Sequence, residues 1–282
     1  MKRTVLFGAG QIGAMTARLI GTDYQVVCFA DNNRAKWGET LQGIPVISPE
    51  ESMRRNPDCV CLCVLDTERA GQMKAQIRAL GFTGELLQPD ALRTFDARAA
   101  TMRLLAEQIH EENIPGEAAE LGVFRGEFAA LINAAFPDRM IHLFDTFEGF
   151  PERDVEIEQT QMLSGAKAGD FSETGEQAVL ERLPYPEKAR IYPGYFPETF
   201  SGCTAERFAF VSVDADLYAP TAAALPLFWN RLSPGGALLI HDVNSTQFFG
   251  VGRAVKEFCK ERKLLPMPVC DLHGSVVLRK PV

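Results

Sequence analysis

Two apolar runs that each finish on acid constrain this chain more than anything else in it. The first, FAFVSVDADLY at 208–218, reads as a buried strand ending in Asp214, Asp216 and Tyr218. The second, SPGGALLIHD at 233–242, is a turn feeding a strand that ends in His241 and Asp242. Residues 219–232 between them look helical, so the whole is a strand–helix–strand unit whose strands lie parallel. Parallel strands share one carboxyl-end edge, and in open α/β sheets ligands bind along that edge. Asp214, Asp216 and Asp242 therefore meet there. A single acid at a strand end is explained by capping of the next helix; three converging acids call for a site.

At 282 residues the chain exceeds the usual size of one domain, and a hydrophobic content of 46% supplies material for two cores. The net charge of −8, with no Lys/Arg-rich run, argues against a nucleic-acid surface, which rests on clustered cations. A small-molecule partner fits better. No apolar stretch approaches the ~18 residues of a membrane span, and Met1, Lys2 and Arg3 lead straight into a strand without a signal-peptide pattern. The expectation is a cytoplasmic protein that makes no membrane contact. Of seven cysteines, Cys59, Cys61 and Cys63 alternate along an apolar run at a spacing that matches neither CxxC nor a zinc pattern. They read as buried free thiols.

Residues 4–13, TVLFGAGQIG, give a short strand, a glycine turn and the start of a helix running to about Ile20. This is the dinucleotide-fold fingerprint in its expected context. Gly8 and Gly10 let backbone N–H groups approach a phosphate at the helix start formed by Gln11 and Ile12, and Gly13 permits close packing of helix on strand. A second strand over 24–30 ends at Asp31, about 20 residues past the glycines, where an acid can grip ribose hydroxyls. Ser48 and Glu51 have capping-box spacing. A strand over 58–65, a helix to about Leu80 and a strand over 85–88 complete a domain at 1–89, with Pro89 as its boundary. Residues 90–114 form a linker helix with Leu92, Phe95, Met102, Leu105 and Ile109 near a 3.6 period, packed between domains and suited to a dimer interface. A homodimer is the expected assembly.

A second domain spans 115–282. It too opens with strand, glycine turn and helix: ELGVFRG at 120–126 sets Glu120 before Gly122 and replaces the middle glycine by Phe124, with Arg125 and Gly126 following. The next strand ends at Asp145, placed to hydrogen-bond the ribose of an adenosine, and runs on through Thr146 and Phe147. Residues 152–169 are polar without clear periodicity and read as a lid. A last helix over 250–261 and an antiparallel edge over 264–279, turning at His273 and Gly274, close the sheet. The fold class is α/β, with two Rossmann-like domains.

Two resemblances follow from these motifs. Asp31, Lys36-Trp37-Gly38 and Gly43-Ile-Pro-Val resemble the N-terminal Rossmann-like domain of bacterial glycan-modifying enzymes such as sugar acetyltransferases. That likeness implies nucleotide or nucleotide-sugar binding at Gly8, Gly10, Gln11, Ile12, Gly13 and Asp31, beside a structural or dimerising role. In the second domain, ELGVFRG at 120–126, DTFEGFP at 145–151, GDFS at 169–172, PGYFPETF at 193–200, VDADLY at 213–218 and PGG at 234–236 through His241 and Asp242 resemble, in order, the motifs of the macrocin O-methyltransferase family. The resemblance covers about 116–263. It implies a class I methyltransferase doubly wound sheet that binds S-adenosylmethionine (SAM) at Glu120, Gly122, Phe124, Arg125, Gly126, Asp145, Thr146, Phe147, Asp170, Phe171, Ser172 and Asp214. The acceptor implied is a hydroxyl of a sugar or a glycosylated small molecule. It also implies a divalent metal, Mg²⁺, on Asp214 and Asp242, with Asp216 as the base that deprotonates the acceptor. The family's paired acids are His241-Asp242 here, which puts a borderline nitrogen where Mg²⁺ prefers oxygen; without a metal, His241 becomes the candidate base. The rival readings are a nicotinamide-dependent oxidoreductase using the first glycine turn and a nucleotide-binding scaffold.

Overall fold

The computed structural model describes residues 1–20, 23–88, 96–272 and 274–282. The expected boundary at Pro89, the opening of the expected helix at 90–95 with Leu92 and Phe95, and His273 lie outside the described residues. The chain divides into two compact units, Met1–Asp96 and Ala97–Val282.

The first unit carries β1 (Lys2–Phe7), α1 (Gln11–Leu19), β2 (Tyr24–Ala30), β3 (Thr40–Leu41), β4 (Ile44–Ile47), α2 (Pro49–Met53), β5 (Cys59–Leu62), α3 (Thr67–Ala79) and β6 (Glu85–Leu87). Its sheet runs β3-β4-β2-β1-β5-β6, parallel except for the β3–β4 pair. That hairpin has no counterpart in the sequence reading. The Ser48 hydroxyl accepts from Glu51 N at 3.1 Å, so half of the expected capping box starts α2. Alternate residues of β1 point to opposite faces, Val5 and Phe7 into one apolar cluster and Leu6 into another.

The second unit carries α4 (Ala97–Glu111), β7 (Glu117–Leu121), α5 (Glu127–Ala135), β8 (Ile141–Asp145), α6 (Glu152–Thr160), α7 (Glu176–Arg182), β9 (Ala189–Pro193), β10 (Phe208–Val213), α8 (Tyr218–Arg231), β11 (Leu232–Ile240), α9 (Phe249–Arg262), β12 (Met267–Pro268) and β13 (Val276–Arg279). Strand order is β12-β13-β11-β10-β7-β8-β9, with β13 antiparallel to both neighbours and the five strands from β11 to β9 parallel. The strands of the central pair β10 and β11 are buried throughout but for Pro234, as continuous apolar runs in a sheet covered on both faces must be. Leu225, Phe228, Val251 and Phe258 from α8 and α9 fill one face. Met102, Ile109, Ile132 and Phe136 from α4 and α5 fill the other.

Two elements depart from expectation. Helix α4, read from sequence as a linker, buries Met102, Leu105, Ala106 and Ile109 in the same core as Ala118 and Phe136. At about 1.5–3 kcal/mol for each large side chain removed from water, that face is integral to the second unit. The stretch read as an aperiodic lid begins with helix α6, which buries Asp154, Val155 and Glu158. Its inward face is two-thirds acidic, which is why hydrophobic periodicity missed it.

Candidate functional site

Strand β7 connects to β8 on one side, while its other neighbour β10 continues to β11. The sheet therefore reverses direction between β7 and β10, and a crevice opens at their carboxyl ends. The glycine turn leaving β7 lies against the exit of β10. Gly122 adopts φ +83°, and a Cβ there would lie 1.9 Å from the Asp214 carbonyl oxygen at the end of β10. Only glycine lets the two strand exits touch.

Asp145, at the end of β8, ties the turn in place. Its Oδ2 accepts from Val123 N at 2.7 Å and Phe124 N at 2.9 Å, and its Oδ1 accepts from Phe147 N at 2.8 Å. Three of about four lone-pair directions are thus taken by backbone, so the carboxylate expected to grip a ribose first of all shapes the loop. Thr146 Oγ1 donates to Gly149 O at 2.8 Å. The segment 169–174 lies over the same turn. Phe171 meets Phe124 edge-on at 5.5 Å, Arg125 pairs with Glu173 at 2.7 Å, and the Thr174 hydroxyl donates to Phe124 O. Asp170 caps its own loop by accepting from Lys167 N, and Asp170, Phe171 and Ser172 are all exposed.

Behind the turn sits a charge cluster. Glu120 is 1% exposed and its Oε2 finds no hydrogen-bond partner among the described residues. Burial pushes its carboxyl well above the usual range, Arg98 opposes this, and the charges of Asp214 and Asp145 add to it. Arg98, in the first turn of α4, donates to Asp214 Oδ2 at 2.9 Å and Ser212 Oγ at 3.2 Å, and its guanidinium stacks 3.8 Å over Phe128. Sequence reasoning missed Arg98. A lone arginine on a helix taken for a linker carries no spacing signal.

Asp214, His241 and Asp242 each offer one ligand atom, and these lie within 4.8 Å of one another. Asp216 stands beside them. Its carboxyl is held well above the ordinary value by burial, then by Asp214 and Asp242, including a hydrogen bond with Asp242. Asp216 and Asp242 both adopt left-handed backbone, φ +57° and +55°, as chain segments do when they turn sharply out of strands. The His241 backbone N–H continues the sheet by donating to Val213 O at 2.9 Å, while its Nδ1 meets Ser275 Oγ at 3.0 Å. Helix α6 reaches the same corner, where Glu158 accepts from Tyr218 N at 2.6 Å; one turn earlier on the helix, Asp154 accepts from Tyr195 OH at 2.8 Å, beyond the end of β9. Asp154, Glu158 and Ser275 were likewise invisible in the sequence.

In the first unit, Gly13 would put a Cβ 2.0 Å from Gly8 O, which accounts for the close approach of α1 to its turn, and Gly10 faces open space. Gln11 and Ile12 open α1, with Ile12 packed on the core. Asp31 does not stand ready for a ribose: it accepts from Ala9 N and Asn33 N at 2.8 Å each and from Lys36 Nζ at 3.1 Å. Lys36 also donates to Ala9 O at 3.0 Å.

The switch-point crevice, its glycine turn and the antiparallel strand next to the sheet edge define a class I methyltransferase fold. Two solved structures share it. The O-methyltransferase NovP aligns with a TM-score of 0.55 over 66% of this chain and 80% of its own, at 22% identity. CalS11, a calicheamicin methyltransferase, aligns with a TM-score of 0.50 over 64% and 77%, at 21% identity. The chain belongs to the macrocin-O-methyltransferase (TylF) family, whose model matches residues 86–280. Among curated relatives, 8-demethyl-8-(2,3-dimethoxy-alpha-L-rhamnosyl)-tetracenomycin-C 4'-O-methyltransferase of Streptomyces olivaceus is 31% identical over 51% of this chain and 59% of its own. Mycinamicin III 3''-O-methyltransferase of Micromonospora griseorubida is 29% identical over 51% and 62%. The matches thus span about three-fifths of each relative, and residues 1–85 lie outside the family match.

Proposed function

We propose that the second unit transfers a methyl group from SAM to a hydroxyl of a sugar or a glycosylated small molecule. The observation that carries the reading is the meeting, at one switch point, of the turn at 120–126, Asp145 and the Asp214–Asp216–His241–Asp242 cluster. Gly122, Phe124, Arg125 and Gly126 would wrap the amino-acid end of SAM over buried Glu120. Asp145, Thr146 and Phe147 would hold the adenosine, with Asp170, Phe171 and Ser172 closing over it. When bound, SAM would supply a methyl group that passes to the acceptor oxygen as its bond to sulfur breaks, leaving S-adenosylhomocysteine (SAH), and Asp216 would take the hydroxyl proton. Burial and its acidic neighbours raise the proton affinity of Asp216, so its ionised form is a stronger base than an exposed carboxylate.

Two carboxylates and an imidazole within 4.8 Å fit a divalent cation, and Asp214, His241 and Asp242 would hold it, whether Mg²⁺ or another ion. When bound, such an ion lowers the pKa of a coordinated hydroxyl. For the first unit, a nucleotide or nucleotide-sugar at Gly8, Gly10, Gln11, Ile12, Gly13 and Asp31 would have to displace Lys36 from Asp31.

The test is a thermal-shift and calorimetric titration with SAH, UDP and NAD⁺, each with and without Mg²⁺, on the wild type and Asp145→Ala. A ligand at about 100 times its dissociation constant stabilises by about 2.7 kcal/mol. SAH should stabilise the wild type and fail on Asp145→Ala. No response to SAH, with a clear one to UDP or NAD⁺, would move the activity to the first unit. Light scattering on the same samples tests the expected homodimer.

A further inference from the structure

Ser275 is fully buried in the loop that precedes β13, and its hydroxyl donates to Asp271 Oδ2 at 2.5 Å. The other oxygen of Asp271 is fixed as an acceptor, because it receives Gly274 N at 2.5 Å and Ser275 N at 2.9 Å. Asn244 N, two residues past Asp242, donates to Gly274 O at 3.2 Å and clamps the loop against the segment leaving β11. With its own proton committed to Asp271, Ser275 Oγ can only accept from His241 Nδ1, 3.0 Å away. Nδ1 therefore carries a proton, and in the neutral form of the imidazole the lone pair is on Nε2.

We infer that Ser275 and Asp271 are positioning residues: they fix His241 as the Nδ1–H tautomer, which leaves Nε2 as the nitrogen that the ring can offer to a cation shared with Asp214 and Asp242. The cation this corner takes is then one that accepts imidazole, such as Mn²⁺ or Co²⁺, in preference to Mg²⁺, which demands oxygen ligands. The cation preference rests on the proposed cation at this cluster; the tautomer does not. Outer-shell partners of this kind typically govern metal affinity by 10–100-fold.

The experiment reads the imidazole directly. The protein has four histidines, and a long-range proton–nitrogen correlation spectrum of histidine-labelled protein at about pH 8, with His241→Gln for assignment, shows which nitrogen of His241 bears the proton. The wild type should give the Nδ1–H pattern. Asp271→Asn should invert it: the amide oxygen must stay on the two backbone N–H groups, its NH₂ then donates to Ser275, and the serine hydroxyl turns to donate to Nδ1. A wild-type Nε2–H pattern, or no change in Asp271→Asn, overturns the inference. Calorimetry with Mn²⁺ and Mg²⁺ should show Mn²⁺ binding at least 10-fold tighter, a ratio that falls in both Asp271→Asn and His241→Asp; equal affinities overturn the preference. Absent SAH binding would sink the proposed activity while leaving the tautomer result standing.

Discussion

Gly122 and Glu120 are two residues apart and fail in opposite ways when changed. In Gly122→Ala the new methyl meets the Asp214 carbonyl at 1.9 Å on a left-handed backbone. Strain of about 1–2 kcal/mol for the conformation and about 1–3 kcal/mol for overpacking adds to a loss of roughly 2–5 kcal/mol. Urea denaturation should show it, and calorimetry should find SAH binding lost. Glu120→Gln should instead stabilise the ligand-free protein at neutral pH. The folded carboxyl has its pKa raised above the ordinary 4.5, so across that window the folded chain binds more protons than the unfolded one, and stability falls as pH rises. The glutamine variant escapes this fall, and its melting temperature should exceed that of the wild type by about 2–4 °C per kcal/mol recovered at pH 8, with the gap closing towards pH 4.5. A gap independent of pH would mean that Glu120 is not held protonated. The sequence made Asp145, Asp214, Asp216 and Asp242 legible because strand ends are fixed by chain order alone. Arg98, Asp154, Glu158, Asp271 and Ser275 come from helices and loops whose position depends on packing, and nothing in their local spacing announces them.

At the scale of elements, period and punctuation found the parallel strands and the helices that cover them with apolar stripes. They failed where an element buries something else. Helix α6 turns Asp154 and Glu158 inward to meet Tyr195 and the Tyr218 backbone, so its buried side looks like surface. The β3–β4 hairpin is too short to show any period. Helix α4 was seen as a helix, but its partner was not, because an apolar stripe says that a face is covered and not by what. Met102 is completely buried on that face. Met102→Ala should cost about 2–5 kcal/mol through lost contacts and a residual cavity. Read by Trp229 fluorescence in a Trp37→Phe background, the midpoint of the second unit should drop; an unchanged midpoint would return α4 to the role of linker.

For the molecule as a whole, the two sheets and their separate cores make the units candidates for independent folding. A chain beginning at residue 96 keeps α4 and both core clusters of the second unit. It should fold and bind SAH as the full chain does, within about 0.5 kcal/mol, the spread expected of changes that share no partners. A chain beginning at residue 115 lacks α4, exposes Ile132 and Phe136, and should be insoluble or molten. If the longer fragment also fails, the first unit is required for the second.

All seven cysteines are free, and six of them are buried: Cys28, Cys59, Cys61 and Cys63 in the first unit, Cys203 and Cys259 in the second. Cys270 alone is exposed. A thiolate reacts only where reagent can reach it, so the native protein should consume one equivalent of a thiol reagent. Transient opening of the first unit would add four equivalents and opening of the second would add two. The chain thus carries its own stoichiometric clock, in which the order of the later steps tells which half of the molecule breathes first.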